Sequence, residues 1–240
     1  MTLALLAGAI MLGAATQRLT GMGFALVSAP LLVAVLGPLT GVQLLQVFGV
    51  LASLLVLAQV WRDAEVRTAV FLLLPALVGI VPGAWLARTL PAPVLAIVVG
   101  ALVVVALLAV LLTERARIVR GTPGLVSAGV LSGFMNATAG VGGPAVVLYA
   151  VSTQWAHHAF VATIQLYFAA LSAASLIALG WPTLDPAAWA VSLAALVVGL
   201  GVGHLLARHV RAEAARALMI VVALVGAVVT VVKGAIELAA

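Results

Sequence analysis

Six stretches of this chain run for about 20 residues with charges only near their ends, the length of helix that crosses the hydrocarbon core of a bilayer. They are Gly41–Trp61, Val66–Arg88, Pro93–Thr113, Ala159–Gly180, Pro186–Arg208 and Ala214–Val232. A water-soluble packing cannot hide that much apolar surface in 240 residues when eleven cations and six carboxylates are all it has to face water. Composition agrees: 66% of residues are apolar and 7% charged, whereas a globular domain is about half apolar and about a quarter charged. A soluble enzyme, a nucleic-acid-binding module and a disordered chain are excluded. The expected fold class is an all-α polytopic membrane protein, a single transmembrane domain over residues 1–240 with the lipid bilayer as partner. The net charge of +5 does not point to nucleic acid, because the cations sit in the gaps between apolar runs, where they orient helices. The start, Met1-Thr2-Leu3, lacks a basic leader, so the first apolar stretch is expected to be retained.

Two further stretches are apolar but interrupted. Leu3–Leu36 is too long for one crossing and carries Gln17, Arg18, Thr20, Gly21 and Gly23 in its middle. Pro123–Ser152 carries Asn136, Thr138, Gly140, Gly142, Gly143 and Pro144. Each is expected to form two short helical arms joined by a polar, glycine-rich break.

The two stretches belong to an internal repeat. Shifted by 119, Gly21, Gly23 and Gln46 fall on Gly140, Gly142 and Gln165; shifted by 120, Val78, Gly79, Gly83, Leu86, Ala87 and Arg88 fall on Val198, Gly199, Gly203, Leu206, Ala207 and Arg208. The repeats are expected at 1–120 and 121–240. If each broken stretch enters and returns as a hairpin, one side of the membrane holds Arg62, Arg67, Arg115, Arg117, Arg120, Arg208, Arg211 and Arg216, against Arg88 and Lys233 on the other. If each crosses once, the cations are nearly balanced. The positive-inside rule favours hairpins. Three full crossings per repeat then remain, an odd number, which inverts one repeat relative to the other. Inverted repeats with paired broken helices are a secondary-transporter architecture. Both termini are expected outside.

The candidate chemistry follows from what the breaks expose. All six carboxylates lie at or beyond helix ends, and no metal-ligand, nucleophile-elbow or P-loop spacing occurs. No enzyme activity, cofactor or metal is therefore expected. Unwound backbone at membrane depth survives only when buried in protein or lining a cavity. The glycines Gly21, Gly23, Gly140, Gly142 and Gly143 are candidate anion ligands through backbone N–H groups at the start of a new helical arm, with Pro144 suited to the first turn. Close helix packing is the competing role for such glycines. Arg18 is the one cation inside an apolar stretch and a candidate oxyanion ligand; snorkelling or a structural pairing is the alternative. Its repeat counterpart is Ala137. Gln17 and Asn136, and Gln46 and Gln165, are repeat partners whose amides can donate to an oxyanion or bond between helices, with Thr138, Thr163 and Tyr167 beside them. His204 is a candidate for proton coupling, or a histidine bonded between helices.

These residues carry a resemblance. The breaks Gly21-Met22-Gly23-Phe24 and Gly140-Val141-Gly142-Gly143-Pro144, with Pro30 and the polar segments around Gln46 and Thr163-Ile164-Gln165, resemble the TauE/SafE family of sulfite and organosulfur anion exporters over essentially the whole chain. The resemblance implies export of sulfite or a short organosulfonate across a bacterial cytoplasmic membrane. An anion channel of the same architecture and a non-transporting scaffold or intramembrane enzyme are the alternatives. A homo-oligomer is left open.

Overall fold

The computed structural model describes residues 2–20, 23–112, 120–206 and 209–239. Among the described residues ten α-helices follow in order: α1 (Thr2–Thr20), α2 (Gly23–Leu36), α3 (Pro38–Val60), α4 (Val66–Thr89), α5 (Ala92–Leu112), α6 (Gly121–Ala139), α7 (Gly143–Ser152), α8 (His157–Leu179), α9 (Pro186–Leu206) and α10 (Ala212–Ala239). A single 3₁₀ turn, Trp61–Asp63, lies between α3 and α4. No strand occurs among the described residues. Seven described helices, α1, α3, α4, α5, α8, α9 and α10, are long and apolar enough to cross a membrane. The protein is an all-α, multi-pass membrane protein.

The six uninterrupted stretches become helices with ends within a few residues of those read from sequence, except α10. That helix runs on to Ala239, because Lys233 and Glu237, one turn apart, pair at 3.8 Å and extend it beyond its apolar part. The broken stretches differ more. Their first arms are not short: α1 and α6 have 19 residues each, about 28 Å at 1.5 Å per residue. Gln17, Arg18, Asn136 and Thr138 continue the helix as its last turns instead of unwinding it. Only the second arms are short, at 14 and 10 residues.

The helices form two compact units, each drawing on both halves of the sequence. The first contains α1, α2, the start of α3, most of α5, α9 and α10; the second contains the rest of α3, α4, the end of α5, α6, α7 and α8. In the first, α1 and α2 run antiparallel: Ser28 Oγ donates to the Ala9 carbonyl at 3.1 Å, and Gln17 meets Phe24. In the second, Arg120 at the start of α6 donates through Nε to the Ser152 carbonyl at the end of α7, at 2.9 Å. That bond brings together the two ends of the second broken stretch.

Glycine sets the close contacts inside each unit, because neither partner helix gains from leaving lipid for another apolar surface and backbone approach supplies the attraction. In the second unit, Gly79 of α4 lies on the Val130 carbonyl of α6, and a Cβ at Gly83 would stand 2.7 Å from the Phe134 carbonyl. In the first, a Cβ at Gly199 of α9 would stand 2.7 Å from the Met11 carbonyl of α1, and one at Gly203 the same distance from the Ala15 carbonyl. Glycines related by 120 thus touch residues related by 119.

Candidate functional site

In the second unit the broken stretch ends α6 by a helix-capping device. Gly140 takes φ +76°, a left-handed conformation that glycine adopts without a Cβ penalty. Its N–H donates to the Asn136 carbonyl at 2.8 Å, and the Val141 N–H reaches Met135 O at 3.4 Å. Both amides are spent in closing α6. Gly142 and Gly143 begin α7, with Pro144 in the first turn and no side-chain cap. The first N–H groups of a helix have no partner within it, so the start of α7 offers donors and the positive end of its dipole. Gly142 is also pressed close: a Cβ there would lie 2.8 Å from the Ser132 carbonyl and 2.9 Å from Ser132 Oγ.

The amides divide. Gln46 Nε2 donates to the Asn136 carbonyl at 2.7 Å, while Asn136 Nδ2 donates to Gln46 Oε1 at 2.9 Å and to Ser175 Oγ at 3.0 Å. All three residues are buried, so this knot holds α3, α6 and α8 together. Thr138 Oγ1 donates to the Gly83 carbonyl at 3.3 Å, and Thr163 Oγ1 accepts from the Glu65 N–H at 2.9 Å. The Tyr167 hydroxyl donates to Ser132 Oγ at 2.8 Å. Gln165 is different. It is buried, and its Oε1 has no hydrogen-bond partner. Gln165 and Phe168 stand three residues apart on one face of α8, and a Cβ on Gly143 would lie 3.6 Å from Phe168 Cζ. Phe168 thus reaches from α8 to the start of α7, and Gln165 stands one turn before it on α8.

In the first unit the matching positions are occupied differently. Gln17 Oε1 accepts the Phe24 N–H at 3.1 Å and so closes the start of α2. Gly23 is buried at that start; Gly21 lies outside the described residues. Arg18 and His204 are both exposed, and Arg18 Nη2 stands 3.3 Å from His204 Nδ1. Arg18 packs over Gly203, where a Cβ would meet its own Cβ at 2.9 Å.

Sequence reasoning missed the serines. Ser175, Ser132 and Ser28 complete buried hydrogen bonds, and their signal was weak, since a hydroxyl in an apolar helix usually bonds its own preceding turn. Among the described residues no group of His, Asp or Glu is placed to hold a metal ion.

Comparison with known proteins adds the decisive observation: the family described as sulfite exporter TauE/SafE matches residues 5–230. The chain belongs to the TauE/SafE family. It is accordingly a member of a family of membrane anion exporters, and that family's proteins are transporters rather than enzymes. No curated protein and no solved structure matches the chain.

Proposed function

We propose that this TauE/SafE protein is a secondary transporter that exports sulfite or a short organosulfonate from the bacterial cytoplasm by alternating access, built on two inverted repeats at 1–120 and 121–240. The observation that carries the site is the start of α7, whose first N–H groups have no side-chain cap; the role proposed for buried Gln165 falls to its Nε2 donor, since its unpartnered Oε1 is an acceptor. Gly142, Gly143 and Gln165 hold the anion there; Arg18, in the first unit, is a separate candidate anion ligand. Gln46, Asn136, Thr138, Thr163 and Gly140 position the frame, and Gln17 with Gly23 closes the equivalent start of α2. The recurrence of glycine contacts at matched spacings supports the repeat. An anion held at a helix start needs no carboxylate, and every described carboxylate lies in a loop or in the end turns of a helix.

The test is the melting temperature of purified protein with methanesulfonate, sulfite or sulfoacetate, against the neutral dimethyl sulfone. Ligands that bind only the folded state raise its apparent stability. The anions are expected to raise melting in the wild type and to lose that effect in Gln165→Leu. Equal shifts from the neutral sulfone, or none from any anion, contradict the reading.

A further inference from the structure

We propose that Ser132 is a direct ligand of the transported anion, giving its hydroxyl proton to an oxyanion oxygen at the start of α7, and that Tyr167 is the residue that positions that hydroxyl. The inference rests on the anion-transport reading above and deepens it by adding two residues to that site. Ser132 and Tyr167 are both 0% exposed, and their hydroxyls meet at 2.8 Å, with Tyr167 donating. Each hydroxyl carries one proton, so two protons stand at this contact and the bond between them uses one. Thr89, Thr153 and Thr230 spend theirs on a carbonyl four residues back in their own helix. Ser132 makes no such bond, and Tyr167 is its one hydrogen-bond partner among the described residues. Fastening α6 to α8 accounts for the first proton and leaves the second unspent. A buried donor without an acceptor is costly, and the acceptor for this one is not in the chain.

That proton stands at the start of α7. A Cβ on Gly142 would lie 2.9 Å from Ser132 Oγ, so the hydroxyl lies against Gly142. The N–H groups of Gly142 and Gly143 make no backbone hydrogen bond to a described residue and meet no side-chain cap. Hydroxyl, amides and the positive end of the α7 dipole are all donors, and an oxyanion is the ligand that accepts from such a set. Gly143 gives an independent sign of the same thing. Its φ is not positive, and a Cβ there would stand 3.6 Å from Phe168 Cζ, an ordinary contact. Neither backbone conformation nor packing calls for glycine at 143; what glycine leaves is bare backbone that a ligand can approach closely. The matched positions of the other repeat lack both hydroxyls: shifted by 119, Ser132 falls on Gly13 and Tyr167 on Phe48. There the start of the second arm is closed by Gln17, whose Oε1 accepts the Phe24 N–H. The hydroxyl pair is present where the arm has no side-chain cap and absent where it has one.

Methanesulfonate is the probe, a sulfonate that stays fully ionised and offers only acceptor oxygens. Its affinity for the purified full-length chain is measured calorimetrically, and the melting of each variant is recorded without ligand. Ser132→Ala is expected to weaken binding about tenfold or more, the loss of one hydrogen bond to a charged group. Tyr167→Phe leaves the Ser132 hydroxyl free to turn among three staggered positions and is expected to cost about threefold. Because Tyr167 acts through Ser132, the double variant is expected to bind no more weakly than Ser132→Ala alone. Should Ser132→Ala fail to fold, as judged by melting, Ser132→Gly carries the same test. A structural water bridging the hydroxyl and the amides is the competing occupant; it predicts lowered melting with unchanged methanesulfonate affinity in Ser132→Ala. That result, or a loss in the double variant equal to the product of the two single losses, overturns the proposal and leaves the transport reading intact. Absence of methanesulfonate binding in the wild type overturns both.

Discussion

At the scale of single residues, what matters is which polar groups are already satisfied. Asn136 spends its amide on Gln46 and Ser175, so Asn136→Ala leaves the buried Gln46 Oε1 without a donor. An orphaned buried acceptor costs about 1–3 kcal/mol in soluble proteins, but interhelical hydrogen bonds in membranes average about 0.6 and reach at most about 1.7 kcal/mol. The lower range governs here, and the expected loss of about 1–1.5 kcal/mol is read from unfolding in mixed detergent. Glycines divide on the same criterion. A Cβ at Gly199 meets the Met11 carbonyl at 2.7 Å, whereas nothing lies within 4 Å of one at Gly201. Gly199→Ala should cost about 1–3 kcal/mol by overpacking; Gly201→Ala should gain up to about 1 kcal/mol by helix propensity. Equal effects at the two sites would show that close approach of α9 to α1 is not what Gly199 provides.

At the scale of elements, the two short arms α2 and α7 begin alike and are treated differently. Gln17 closes α2, and no side chain caps α7. Gln17→Ala is therefore expected to destabilise the protein by about 1 kcal/mol, the usual worth of a helix cap, while the anion-induced rise in melting temperature is retained. Loss of that rise in a folded Gln17→Ala protein would move the site to α2. The helices themselves were legible in the sequence because each is a run of apolar residues bounded by charge or proline. The cation counts point to hairpins, and the two arms of each broken stretch do turn back on one another; on which side of the membrane they end is a prediction. The site was legible only to the level of residue type: Gln46 and Gln165 stand in matched positions, yet one is bonded to Asn136 and the other is not. Sequence cannot distinguish them, since the difference comes from Asn136 meeting Ser175 across a packed interface. The length of α1 and α6 departs from the short arms expected of the sequence because polarity does not require unwinding; the amides of Gln17 and Asn136 stay within the helix and find partners outside it.

At the scale of the whole molecule, the topology is a claim that single cysteines can test, since the chain has none of its own. Cysteines in the 62–67 and 211–216 segments are expected to label from the same, cytoplasmic side in intact cells and inverted vesicles, and one after Arg88 from the opposite side. Labelling of the first two from opposite sides would remove the inversion between repeats. The central claim is anion export by a carrier, and the flux itself tests it most directly. Inverted vesicles containing the protein should accumulate radiolabelled sulfite with saturation kinetics, and unlabelled sulfite preloaded inside should accelerate entry of label by exchange, because a carrier returns loaded faster than empty. Flux equal to that of vesicles without the protein, or flux that rises linearly with sulfite and carries a steady current, would contradict the account.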